Sequence, residues 1–452
     1  MNLSFQNIVL STLKHITPVL IVSSVILAFG DTAFSQEATD SLDTGDTAWI
    51  LISTGLVLFM MIPGLAMFYA GLVGRKNVLS IFMQCFAITG VITVIWTLFG
   101  YSMAFDTTGM EAGVRNINSF VGGFSKAMLS GVGLDTLSGT IPETVFFTFQ
   151  MTFAIITPGL FIGAFAERMK FSAVILFVIF WAILVYFPIT HMVWSGEGSF
   201  LGDMGIIDFA GGIVVHITAG VAALIAAIMV GKRRGYPTSL KPPHNMTLTL
   251  TGTAMLWVGW FGFNGGSALA ANGQAGMAVV VTQISPCLAA LTWIAIEWIK
   301  VGKPSALGFA TGAIAGLAAI TPASGSVGPL GAIVIGICSG FLANIASTSI
   351  KQKLGYDDAL DVVGVHGVGG LIGILLVAFF GSPLLGGTVE GLEMSKQFGI
   401  QAFGAVFAII YTAIFSYIIL KVIDMAVGLR VNDEEELQGL DLADHGESGY
   451  DL

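Results

Sequence analysis

The chain has 452 residues, 55% of them hydrophobic and only 10% charged, where a soluble domain carries roughly 25% charged residues. That balance excludes a soluble enzyme, which would have nowhere to place so much apolar surface, and it excludes disorder, which needs low hydrophobicity and high charge. The net charge of −10 describes mainly the C-terminus: from Leu429 onward eight acids face one base, Arg430, and no basic footprint for nucleic acid exists.

In chain order, Lys14 and His15 precede an apolar stretch from Ile16 to Phe29, and Ala33 and Ser35 are small residues at the two cleavage positions. The pattern predicts a signal peptide over 1–35, cleaved after Ser35, with 36–47 outside; the rival is an uncleaved first helix. Eleven apolar runs follow, each near the roughly 20 residues that cross a bilayer: 48–72, 78–105, 144–166, 171–194, 208–231, 246–269, 276–299, 305–323, 328–350, 361–381 and 399–427. The predicted fold is an all-α polytopic membrane protein with eleven transmembrane helices.

The basic residues orient it. With the first span starting outside, the inside loops and the last inside end hold 14 of the 18 Lys and Arg, and outside loops hold only Arg115, Lys126 and Lys396. That asymmetry puts the N-terminus outside and the C-terminus in the cytoplasm. The long loop 106–143 is then outside, and the proline-bearing basic segment 232–245 is a cytoplasmic linker. It separates a first half, 48–231 (helices 1–5), from a second, 246–381 (helices 6–10); helix 11 (399–427) and an acidic tail (428–452) complete the chain.

Cys85, Cys287 and Cys338 lie in apolar runs without metal-ligand or disulfide spacing, and read as buried hydrophobes. Ionisable residues inside spans are costly and usually functional. Glu297 and Asp424 lie near span ends, within reach of the interface. Asp208 and Asp361 stand at helix N-termini, where a carboxylate satisfies free backbone N–H groups. Each precedes a Val-His pair, with a glycine four residues after the histidine. This echo, five spans apart, implies two inverted halves, since an odd repeat flips topology. His216 and His366 would then meet near the midplane, where one ring donates a hydrogen bond and the other accepts. No further ligands are spaced for a metal, so neither metal nor cofactor is expected.

Aromatics form the second signal. Phe149 and Phe153 flank Gln150 by one helical turn, Trp194 ends the fourth span, and Trp260, Phe263 and Ser267 share the sixth. Singly these read as packing or interface residues; together their ring faces suit an ammonium-type cation.

These motifs resemble the ammonium transporter family, shared with the Rhesus proteins. The resemblance rests on Asp208-Phe-Ala-Gly-Gly-x-Val-Val-His216 running to Gly231-Lys-Arg233, on Ala166-Glu-Arg168, His191-Met-Val-Trp194, Gly259-Trp-Phe-Gly-Phe-Asn264, Ile320-Thr-Pro322 and Gly364-Val-His-Gly-Val368. The tail segments Gly428-Leu-Arg-Val431, Gly439-Leu-Asp441 and His445-Gly-Glu447 resemble the bacterial branch. It implies two inverted five-helix halves plus one long helix, assembled as a homotrimer with one pore per subunit in the bacterial inner membrane. It implies ammonium recruitment by Trp194, Phe153 and Ser267, with methylammonium as analogue, and a gate of Phe153 and Phe263. Trp260, His216 and His366 would line the pore, and Asp208, Gln150, Phe149 and Asp361 would support it. It also implies a PII signalling protein as cytoplasmic partner. A Rhesus-type ammonia channel and a low-conductance ammonium sensor are the alternatives. An intramembrane protease is not expected, because the topology separates Asp203 from Asp357 and no His-Glu-x-x-His is present.

Overall fold

A computed structural model describes residues 41–238 and 242–451. The expected signal peptide, its cleavage position and linker residues 239–241 lie outside the described residues.

The helices are α1 (Thr44–Leu72), α2 (Val78–Phe105), α3 (Glu143–Phe165), α4 (Phe171–Trp194), α5 (Gly212–Val230), α7 (Gly273–Val301), α8 (Ala306–Ala323), α9 (Pro329–Leu354), α10 (Val363–Phe380) and α11 (Met394–Val427), with α6 (Met246–Gly266) between α5 and α7. Among the described residues, the first-named 10 are long and apolar enough to cross a membrane. The sixth apolar run forms its helix too, but Thr247, Thr249, Thr251, Gly252 and Thr253 dilute the apolar character of its first two turns.

Short polar residues set several helix starts. Asp43 accepts from the amide of Asp46 (2.9 Å), Asn245 from Leu248 (2.9 Å), Asn272 from Ala275 (3.1 Å) and Ser305 from Gly308 (2.8 Å). Each satisfies an amide that has no partner inside its helix. The Asp43 cap moves the start of α1 to Thr44, ahead of the expected residue 48.

Helix α6 packs on α1, α3 on α5, and α7, α8 and α9 on one another, while α11 lies across α4, α5 and α10. Along α11, Phe403, Val406, Ile410, Ile414 and Tyr417 are exposed, an apolar stripe at helical spacing that suits lipid. The opposite face buries Gln397, Gln401, Thr412 and Ser416. Small residues allow α5 and α10 to touch backbone to backbone: a Cβ on Gly220 would lie 2.4 Å from the Cα of Gly367. That crossing brings the two histidine-bearing helices together.

One feature departs from the expected all-α fold. The chain is not wholly α-helical, because loop 106–143 contains a two-residue ladder, β1 (Leu137–Ser138) paired antiparallel with β2 (Ile141–Pro142). Gly139, at φ +60°, makes the turn. The acidic tail is also folded against the helices. Its two short helices, α12 (Asp433–Gln438) and α13 (Leu440–His445), lie against the α1–α2 and α3–α4 connections. Asp441 accepts from the amide of Ser80 (2.8 Å), Asn77 accepts from the amide of Leu440 (2.8 Å), and Arg430 pairs with Glu436 (2.7 Å). A carboxylate from the far end of the chain therefore serves the N-terminus of α2.

Candidate functional site

The site begins where α5 starts. Asp208 stands ahead of that helix, and its two carboxylate oxygens accept from the amides of Gly211 (3.1 Å), Gly212 (2.5 Å), Ile213 (2.8 Å) and Val214 (3.1 Å). Gly211 adopts φ +112°, a conformation open to glycine, which folds the amides over the carboxylate. The peptide oxygen of Asp208 accepts from Trp194 Nε1 (2.7 Å), fixing the indole at the end of α4. Both oxygens of the Asp208 carboxylate are thus taken up by backbone amides.

Next to Trp194 the aromatics assemble into a column. Phe153 meets Trp194 edge-on, with centroids 5.8 Å apart at 86°, and lies against Phe263 at 4.2 Å and 34°. Phe149 backs Phe153 at 5.0 Å. Beyond Phe263, His216 stacks on Trp260 at 5.6 Å and on His366 at 5.2 Å. The facing Nδ1 atoms of the two histidines are 3.3 Å apart, so one ring carries the proton and the other accepts it. His216 Nε2 finds no hydrogen-bond partner among the described residues. Both histidines of the pair and Trp260 are buried.

A narrow cavity lies beside the inner part of this column, from Phe263 to His366. Its wall is made by aliphatic and aromatic side chains from α1, α3, α5, α6 and α8, together with His216 and His366. A second cavity shares Phe68 and His366 with the first and is also lined by Arg233, Lys351 and Asp361. The two cavities thus border each other at Phe68 and His366.

Ser267 follows the last turn of α6, and its hydroxyl donates to the oxygen of Phe263 (2.8 Å). Gln150 is buried on α3, with its Oε1 unpartnered among the described residues. Asp361 departs from expectation. It does not cap α10: its carboxylate pairs with Lys351, and its backbone sits at φ +62°. The cap is Asp358, whose Oδ2 accepts from the amide of Val363 (2.8 Å). The register of the internal echo shifts accordingly. Asp208 and Asp358 each precede their histidine by the same eight positions, whereas Asp361 precedes it by five.

Around Asp358 the ionic end is densely paired. Arg233 binds Asp357 at 2.8 Å and approaches Glu167 at 3.6 Å. Arg168, wholly buried, donates to the oxygens of Gly231 (2.8 Å), Ala164 (2.9 Å) and Asp357. Burial pushes its guanidinium down to about 10, against the pull of Asp357. Burial alone would raise Asp357, but Arg233 holds it below the usual carboxylate range. Asp358 is pushed up to about 6 by burial, with Lys351 opposing.

Three contributors escaped the sequence reading. Asp358 was hidden by the nearer Asp361, though the repeated eight-residue spacing could have found it. Gln401, a buried amide in an otherwise apolar helix, exchanges hydrogen bonds with the backbone of Ile207 (2.9 and 2.7 Å) and so braces the extended segment leading to Asp208. Thr321 accepts from Trp260 Nε1 (2.8 Å); its only sequence signal was its place beside Pro322.

Residues 48–450 match the family described as Ammonium Transporter Family. The chain is 45% identical over 438 residues to the ammonium transporter of Mycobacterium bovis, covering 91% of each. It is 44% identical to that of Aquifex aeolicus, covering 95% of this chain and 99% of the relative. Among solved structures it resembles a sensor Amt protein (TM-score 0.81, 30% identity, 89% of this chain and 98% of the other). It also resembles Saccharomyces cerevisiae Mep2 (TM-score 0.78, 30% identity, 90% and 91%). With this match over most of its length, and with the helical membrane fold described above, the chain belongs to the ammonium transporter family.

Proposed function

We propose that this protein takes up ammonium by recruiting the cation at the aromatic end, removing its proton near the phenylalanine gate and passing neutral ammonia along the column to the ionic end. The observation that carries the proposal is the ring series Trp194, Phe153, Phe263, His216 and His366, whose inner members Phe263, His216 and His366 line an apolar cavity. Ring faces and the Ser267 oxygen attract the cation. A bare ion is costly in the apolar column, and potassium has no way to lose its charge. Ammonium has one, because a low-dielectric site lowers the pKa of a cation. The histidine pair offers the proton a separate route.

In this proposal α6 also spans the bilayer. Its 21 residues reach about 30 Å at 1.5 Å each, matching the hydrocarbon core. The eleven spans form two inverted halves, 48–231 and 246–381, plus α11, in a homotrimer in the bacterial inner membrane. The aromatic end faces outside, the ionic end and tail face the cytoplasm, and a PII-type protein docks beside the tail.

The test is electrophysiology of reconstituted protein on a solid-supported membrane, comparing ammonium, methylammonium and potassium pulses. Currents with the first two and none with the third are expected. Equal potassium current would overturn the deprotonation mechanism.

A further inference from the structure

The cavity beside the histidines is lined by three residues with side-chain nitrogens: His216, His366 and Trp260. The Nδ1 atoms of the two histidines face each other at 3.3 Å. The indole N–H of Trp260 points elsewhere, into the hydroxyl oxygen of Thr321 at 2.8 Å. Thr321 is wholly buried, and its own proton is committed to the oxygen of Leu317, also at 2.8 Å. With its donor spent, the hydroxyl presents lone pairs only, so it accepts from Trp260 in a fixed direction.

We infer that Thr321 is a positioning residue that keeps the Trp260 N–H out of the conduction path while holding the indole flat against His216. The inference rests on the proposed ammonia pathway. Ammonia has one lone pair and is a good hydrogen-bond acceptor. A free indole N–H on the wall of a dry pore would hold each ammonia or water it met, because a buried donor without a partner carries a desolvation cost that binding relieves. Binding that deepens the ground state without lowering the barrier slows turnover. Thr321 removes that trap and leaves the histidines as the polar groups the substrate meets there. The same bond orients the ring that stacks on His216 at 5.6 Å.

The experiment uses the full-length reconstituted protein with Thr321→Val, Thr321→Ser and the pair Trp260→Phe and Trp260→Phe/Thr321→Val, reading ammonium-evoked current against concentration. Thr321→Val keeps the side-chain shape but cannot accept a hydrogen bond. It is expected to lower the maximal rate about tenfold, the factor given by ~1.4 kcal/mol of retained binding. The half-saturating concentration should fall with it, leaving the ratio of the two within about twofold, because the trap deepens a bound state without changing the barrier to entry. Thr321→Ser restores the acceptor and should restore the rate. In the Trp260→Phe background there is no N–H to hide, so adding Thr321→Val should change the remaining current less than twofold. A merely structural threonine would instead impose the same loss in both backgrounds. Wild-type turnover in Thr321→Val, failure of serine to rescue, or an undiminished loss in the Trp260→Phe background overturns the inference. If Thr321→Val does not fold alone, the Trp260→Phe pair decides. A wild-type protein that gives no ammonium current would instead sink the transport proposal, leaving the two failures distinguishable.

Discussion

Asp208 and Asp358 stand the same distance before their histidines and do the same local job, yet their surroundings are opposites. Asp208 receives four backbone amides, and its peptide oxygen holds the indole of Trp194, which meets Phe153 edge-on. Asp358 receives the amide of Val363 and lies among Lys351, Asp361, Arg233 and Asp357. One end therefore presents aromatic rings and a backbone-capped carboxylate. The other presents an ion-pair network and a wide cavity. A repeated helix start can be reused at both ends of a pathway while the side chains around it decide what each end does.

The largest test of that contrast lies where the two starts meet. His216→Ala combined with His366→Ala is expected to abolish ammonium current or let potassium compete; a double variant with wild-type current and selectivity would refute the relay. Next come the aspartates themselves. Asp208→Asn replaces two acceptor oxygens by one oxygen and an amide that opposes two backbone donors, and should cost about 3 kcal/mol of stability, near the upper end for unmade buried bonds to a charged group. Asp358→Asn should cost less, because Lys351 keeps Asp361. Thermal unfolding in detergent giving the reverse order would break the comparison.

The ionic end also carries a pH prediction. Burial raises Asp358 from its ordinary 3.8 to about 6 in the folded protein. A carboxyl with a raised folded pKa adds stability that is fully present below pH 3.8 and is lost as pH rises through about 6. Relative to Asp358→Asn, the wild type should therefore lose stability as pH rises from about 4 through about 6, with the two melting curves compared at each pH. Parallel curves would show that Lys351 neutralises the carboxylate throughout. The smallest effect belongs to the tail. Asp441→Ala removes a cap from α2 and should cost about 1 kcal/mol, read as faster proteolysis after Gly428 with the helices intact. Unchanged proteolysis would mean the remaining contacts, among them Asn77–Leu440 and Arg430–Glu436, hold the tail without Asp441.

Much of this was legible in the chain. Apolar runs located the long helices, because a spanning segment must satisfy its backbone internally and coat itself with apolar side chains. The site was legible as residue types: Phe153, Phe263, Trp194, His216 and His366 all fall in one column. Asp361 was misread because it is the carboxylate nearest the start of the run, and sequence cannot say that its backbone turns left-handed and its side chain reaches Lys351. Gln401 and Thr321 were missed because a lone polar residue in an apolar helix has no visible partner until the chain folds.

The sequence by itself determined a helical membrane protein with scarce internal charge and two histidines in matching contexts, since burying 55% hydrophobic residues leaves little other choice of class. Only the tertiary structure decided which carboxylate caps α10, that the acidic tail docks on the helices, and that the Trp260 N–H is turned onto Thr321. Each depends on groups distant in sequence arriving within hydrogen-bond reach, and that proximity comes from how α5, α6, α8 and α10 pack, not from any local pattern.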